Sequence, residues 1–100
     1  MTSIFYLNTF VKGVITIFFF FFDEDTFASR LKQLRVNNSL TLEQLGLKIE
    51  STKATLANFE NCNKKPSLDM LIKLADYFDV SLDYLVGRTN DPKLHTLNEK

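Results

Sequence analysis

One hundred residues make room for one domain, and a formal charge of zero excludes a chain that is basic all over its surface. Cys62 is the only cysteine, so no intrachain disulfide can form and a cytoplasmic setting is the default. No group of His, Cys, Asp and Glu has metal-ligand spacing. No nucleophile–base pair, carboxylate pair or Gly-rich phosphate loop occurs either, so no metal, no cofactor and no enzymatic chemistry are expected.

The first segment is unlike the rest. Residues 4–22 read IFYLNTFVKGVITIFFFFF, interrupted by Asn8, Lys12 and Gly13 and closing in five consecutive Phe. A run of about 20 apolar residues spans a bilayer, so a membrane anchor is one reading. Lys12 opposes it, because a charge at mid-span costs about 2.5–3.5 kcal/mol on insertion scales. No base precedes the run and no small-residue cleavage pattern follows it, so a secretory signal is disfavoured. The competing readings are an early start codon assigned in error and an N-terminal strand or helix packed on the domain. Residues 1–25 are therefore set apart as an apolar, Phe-rich extension.

The acidic stretch from Asp23 to Asp25 marks a change in composition, and residues 26–87 are taken as the working domain. Thr26 is expected to cap a helix starting at Phe27, with Asp25 at the positive end of its dipole. Phe27, Leu31 and Leu34 fall on one face, while Arg30, Lys32, Gln33 and Arg35 are expected to point outward. The polar run Asn37, Asn38, Ser39 ends this helix, and Leu40 stands ready to staple onto the next.

From Thr41 to Ser67 the chain reads TLEQLGLKIESTKATLANFENCNKKPS. Thr41 and Thr52 are cap residues placed before two short apolar-periodic segments, one carrying Leu42, Leu45, Gly46 and Ile49, the other Leu56 and Phe59. Only Glu50 and Ser51 separate Ile49 from Thr52, which forces a sharp corner. Two short helices over such a corner make a helix-turn-helix. Pro66 then fixes the chain and Ser67 caps a fourth helix running to Phe78, with Leu68, Leu71, Ile72, Ala75 and Phe78 expected on its buried face. Asp79 and Val80 turn the chain, Ser81 caps a short fifth helix, and Gly87 stops it. Residues 88–100 read as a polar tail with frayed ends, in which His95 stands alone.

Charge is distributed unevenly. Between Phe27 and Ser67 there are seven bases (Arg30, Lys32, Arg35, Lys48, Lys53, Lys64, Lys65) and three acids (Glu43, Glu50, Glu60), while further acids lie on either side. A local positive excess is what phosphate contact needs.

Several stretches together resemble the DNA-binding domains of phage Cro and repressor (Xre-type) regulators: RLKQLR, the T-L-E-Q-L-G opening of the motif, F-E-N, K-K-P-S, and LIKLADYFDVSLDYLVGRT. The resemblance covers Phe27 to about Asn90. It implies an all-α, compact five-helix lambda-repressor-like bundle and the function of a sequence-specific transcriptional regulator, a repressor. In that family the second motif helix, residues 52–60 here, enters the major groove with its N-terminal end toward the bases. Thr52, Lys53, Ala54, Thr55 and Asn58 are then the base-contact candidates: Lys matches guanine O6 and N7, Asn matches adenine N6 and N7, and Ala or a Thr methyl meets a thymine methyl. Phosphate contacts fall to Thr41, Lys48, Asn61, Lys64 and Lys65. The implied partner is double-stranded DNA carrying a palindromic operator, bound by a two-fold homodimer whose contact candidates are Leu82, Tyr84, Leu85 and Val86.

Four departures from the family pattern bear on this expectation. Leu42 stands where Gln is frequent, Glu50 where Gly is common, and Ser51 where an aliphatic residue is common. A left-handed Glu50 costs on the order of 1 kcal/mol, and its charge would weaken DNA binding if it faced the duplex. Cys62 likewise replaces a frequent Gly, with Asn61 or Asn63 expected to take the left-handed conformation. Leu42, Leu47 and Ser51, at positions often polar, polar and apolar in the family, leave open an antitoxin-like protein-interaction module on a drifted fold. A membrane-tethered regulator, held by residues 4–22, is the third reading.

Overall fold

The computed structural model describes residues 22–93, so most of the apolar run and the end of the polar tail lie outside the described residues. Among the described residues five helices follow one another: α1 (Glu24–Asn37), α2 (Leu42–Ile49), α3 (Lys53–Glu60), α4 (Leu68–Phe78) and α5 (Leu82–Leu85). No strand occurs among the described residues.

Short polar side chains set the helix starts. The hydroxyls of Thr41, Thr52, Ser67 and Ser81 each accept from the backbone N–H three residues on, satisfying a donor that the first turn leaves unpaired. At α1 the expectation needs correction. The helix begins at Glu24, and its cap is Asp23, not Thr26. Asp23 Oδ1 accepts from Thr26 N at 3.1 Å while the Thr26 hydroxyl donates to Asp23 Oδ2 at 2.8 Å. Thr26 is therefore the residue being capped.

The helix ends follow the expected stops. Glu50 and Asp79 take left-handed conformations, at φ 58° and 57°, as the C-caps of α2 and α4. Gly87 closes the last turn at φ 90°. After α3 it is Cys62 itself that turns left-handed (φ 61°), in place of Asn61 or Asn63.

One apolar core is shared by all five helices, drawing on Phe27 and Leu31, Leu45 and Ile49, Leu56 and Phe59, Leu71, Leu74 and Ala75, and Leu85 with Val86. The rings of Phe27 and Phe59 meet edge to face at 6.0 Å, which binds α1 to α3. The buried face of α4 differs from expectation. Leu74 is fully buried, whereas Leu68 and Ile72 are 46% and 39% exposed. That helix carries apolar residues around most of its circumference, so its own periodicity did not select which would turn inward.

Two arginines expected on the surface are structural. The Arg35 guanidinium bonds Glu60 through two contacts, at 2.7 and 3.0 Å, and donates to Leu40 O at 2.9 Å. Arg30 lies 4.1 Å over the Tyr84 ring and donates to the carbonyls of Tyr84 and Thr89 and to Asn90 Oδ1. With Ser81 N donating to Pro92 O at 3.0 Å, these bonds hold the chain after Gly87 against the bundle. The first residues of the expected frayed tail are thus tied down.

Candidate nucleic-acid interface

The orientation of α3 follows from three fixed points. First, α2 crosses the corner so closely that a Cβ on Gly46 would lie 2.8 Å from Ser51 O. Any larger residue there would push the two helices apart. Second, Leu56 and Phe59 are 0% and 3% exposed, anchoring the inner face of α3 in the core. Third, Glu60 at its C-terminal end is clamped to α1 by Arg35, with side chains only 7% and 13% exposed. The hydrogen bonds to Glu60 raise the Arg35 pKa above its ordinary value, against the opposing effect of burial.

What remains outward on α3 is its N-terminal end. Lys53 and Ala54 are exposed, and Thr55 and Asn58 are half-buried on the turns behind them. Thr52 is exposed, but its hydroxyl is occupied: it accepts from Thr55 N at 3.1 Å and donates to the Thr55 hydroxyl at 2.9 Å. That pairing leaves the Thr52 methyl, and the remaining hydrogen-bonding capacity of the Thr55 hydroxyl, for any partner.

Thr41, at the start of α2, belongs to a reciprocal capping box. Its hydroxyl accepts from Gln44 N at 3.0 Å, and Gln44 Oε1 accepts from Thr41 N at 2.9 Å. The Thr41 O–H and the Gln44 amide N–H groups are left as donors, at the helix end that favours anions. Gln44 is a polar candidate that sequence reasoning passed over. The signal was present as Thr-x-x-Gln, the pattern of a capping box.

Lys48, Asn61, Lys64 and Lys65 are all exposed. Lys48, Lys53 and Lys64 make no ion pair among the described residues, whereas Lys65 Nζ lies 3.5 Å from Glu24 Oε2. The Arg35–Glu60 pair removes one charge of each sign, so the local excess of bases survives it. Glu50, the acid at the corner, lies 3.5 Å from Lys73 Nζ on α4, and its charge is partly offset there.

Of the four residues in and just after α5 proposed for self-association, Leu85 and Val86 are 0% and 1% exposed and close the core. Leu82 and Tyr84 are half-buried, and Tyr84 carries the Arg30 guanidinium on its ring.

A helix-turn-helix family profile matches residues 31–85, from the middle of α1 to the end of α5. The chain belongs to the helix-turn-helix family. Its helix-turn-helix is of the Cro and Xre type, and HTH-type transcriptional regulators are similar to it in sequence. The uncharacterized HTH-type transcriptional regulator YobD of Bacillus subtilis is 47% identical over 66 residues, which is 66% of this chain and 59% of YobD. HTH-type transcriptional regulator AnsR of the same organism is 37% identical over 59 residues, covering 59% of this chain and 51% of AnsR. The helix-turn-helix chain thus spans between half and three-fifths of the length of these relatives. A crystal structure of a transcriptional regulator from Listeria innocua superposes with a TM-score of 0.59 at 30% identity, covering 73% of this chain and 64% of that one.

Proposed function

We propose that the chain is a sequence-specific DNA-binding transcriptional regulator, a cytoplasmic repressor that reads the major groove with α3. One observation carries this reading. The inner face of α3 is locked into the core by Leu56, Phe59 and Glu60, while Lys53 and Ala54 at its N-terminal end are held outward. A helix so fixed and so presented suits insertion into a groove. Lys53 and Asn58 supply the donor and acceptor pattern for guanine and adenine, and Ala54 and the methyls of Thr52 and Thr55 suit thymine. Thr41, Gln44, Lys48, Asn61, Lys64 and Lys65 flank it as phosphate donors, which position the domain without reading sequence.

The palindromic operator and the two-fold dimer belong to the same proposal. With Leu85 and Val86 in the core, the contacts of a second copy would fall to Leu82 and the exposed Ile72, which line one recess with Val80.

A second reading is favoured by one feature, the 80% exposure of Leu47. It borders a recess with Tyr77, Lys48, Glu50, Lys73 and Asp76, a surface suited to a protein partner of an antitoxin-like module. The membrane-tethered reading rests on a run that, up to residue 21, lies outside the described residues. No helix among the described residues is long and apolar enough to cross a membrane.

Titration of DNA binding against salt separates the first two readings. Full phosphate contact by Lys48, Lys64 and Lys65 on each copy gives a log–log salt slope of about −2.7 per copy, or about −5.4 for a dimer. A folded chain that shows no DNA binding at low salt would overturn the regulator reading in favour of the protein partner.

A further inference from the structure

Lys65 differs from the other lysines of the interface in having an anion beside it. Its ammonium lies 3.5 Å from Glu24 Oε2, with the two side chains 68% and 41% exposed. Glu24 is not loosely placed. It is the first residue of α1, directly after the Asp23 cap, and Asp23 N is itself bonded to Val86 O at 3.1 Å. The loop after α3 is drawn toward the same helical turn by Cys62, whose thiol approaches Asp25 Oδ1 at 3.5 Å and Glu24 O at 3.7 Å. One recess is lined by Phe22, Asp23, Glu24, Asp25 and Lys65. The basic loop offered to phosphate is therefore joined along one edge to three consecutive acids.

We propose that Glu24 competes with DNA phosphate for Lys65, so that the first turn of α1 tunes the affinity of the domain. The inference rests on the DNA-binding reading above. A phosphate at Lys65 shares the ammonium with the Glu24 carboxylate or displaces it, and in both cases the carboxylate offsets part of the attraction. Either way the duplex gains less from Lys65 than from Lys64. Because both partners are well exposed, the competition is weak enough to tune binding without blocking it.

The test is a titration of one duplex with the full chain at several salt concentrations, using Glu24→Gln, Lys65→Ala, Lys64→Ala and the Glu24→Gln/Lys65→Ala pair. Helix circular dichroism matching the wild type certifies each variant as folded. Glu24→Gln tightens binding about two- to fivefold at low salt, the range of an exposed ion pair, and steepens the log–log salt slope by up to about 0.9 per copy, toward the value for full contact by Lys65. In the Lys65→Ala background the same change gives no gain, and Lys65→Ala alone weakens binding less than Lys64→Ala. Equal tightening in both backgrounds would mean that Glu24 acts by general repulsion of the duplex, and no tightening would mean that it does not act; either result overturns the competition. Failure of the folded wild type to bind at low salt would be a different result, because it removes the DNA reading itself.

Discussion

Removing Glu60 should strongly destabilise this fold. Its carboxylate is 7% exposed and receives two hydrogen bonds from Arg35, whose guanidinium is 13% exposed and also serves Leu40 O. Glu60→Ala leaves that guanidinium largely out of water and without its counter-charge, which costs about 3–5 kcal/mol. Small domains are stable by only about 0.05–0.15 kcal/mol per residue, so the loss consumes much of the total for the described residues. Glu60→Gln keeps the shape and one acceptor and should cost about 1.5–3 kcal/mol, the range for a hydrogen bond to a charged group. The assay is urea unfolding followed by helix circular dichroism, at low and high salt. A sheltered pair predicts that the loss hardly changes with salt. A Glu60→Gln chain within about 0.5 kcal/mol of the wild type, below the range expected for this class of bond, would refute the claim that the pair clamps α3 to α1.

Three further outcomes follow from the backbone and the caps. Glu50→Gly should stabilise the chain by about 0.5–1 kcal/mol, since φ 58° suits glycine, and the exposed pair with Lys73 that it removes is weak; unfolding midpoints check this. Gly46→Ala should destabilise by about 1–3 kcal/mol, because the added methyl meets a backbone oxygen that cannot turn aside. The same measurement tests it, and an unchanged midpoint would mean that α2 and the corner can part at little cost. Hydrogen bonds from Thr26 hold the Asp23 carboxyl below its ordinary value of 3.8. A carboxyl lowered by folding contributes stability above its unfolded value and loses it as pH falls through the lower folded one. Asp23→Asn should therefore flatten the acid side of the stability profile below a pH of about 4, as read by acid titration of the helix signal.

Much of this architecture could be read locally. Thr41, Thr52, Ser67 and Ser81 declared their helices because a short side-chain oxygen satisfies a donor within three residues, which is a relation the sequence displays. Locality was not enough at α1, where two good cap residues stand three apart and Asp23 accepts from both the backbone N–H and the hydroxyl of Thr26. Faces were legible where apolar residues were sparse, as on α3 with Leu56 and Phe59. They were ambiguous on α4, where Leu68, Leu71, Ile72 and Leu74 compete for one core. Least legible were the long-range polar contacts. Arg30 reaches carbonyls more than fifty positions away and Arg35 reaches Glu60 twenty-five positions away. Nothing in helical periodicity distinguishes such an arginine from a solvated one. The outward residues of α3 were identified by the resemblance, and burial of its opposite face gives that assignment its physical basis.

The most direct test of the central claim is selection of genomic DNA fragments by the full chain, followed by titration of the selected fragment with wild type and with Lys53→Ala/Asn58→Ala. The account predicts enrichment of a palindromic site whose preference over random DNA is lost in the double variant, while salt-dependent binding to random DNA persists. Selection of no common site, or a preference that survives both substitutions, would contradict sequence readout by α3.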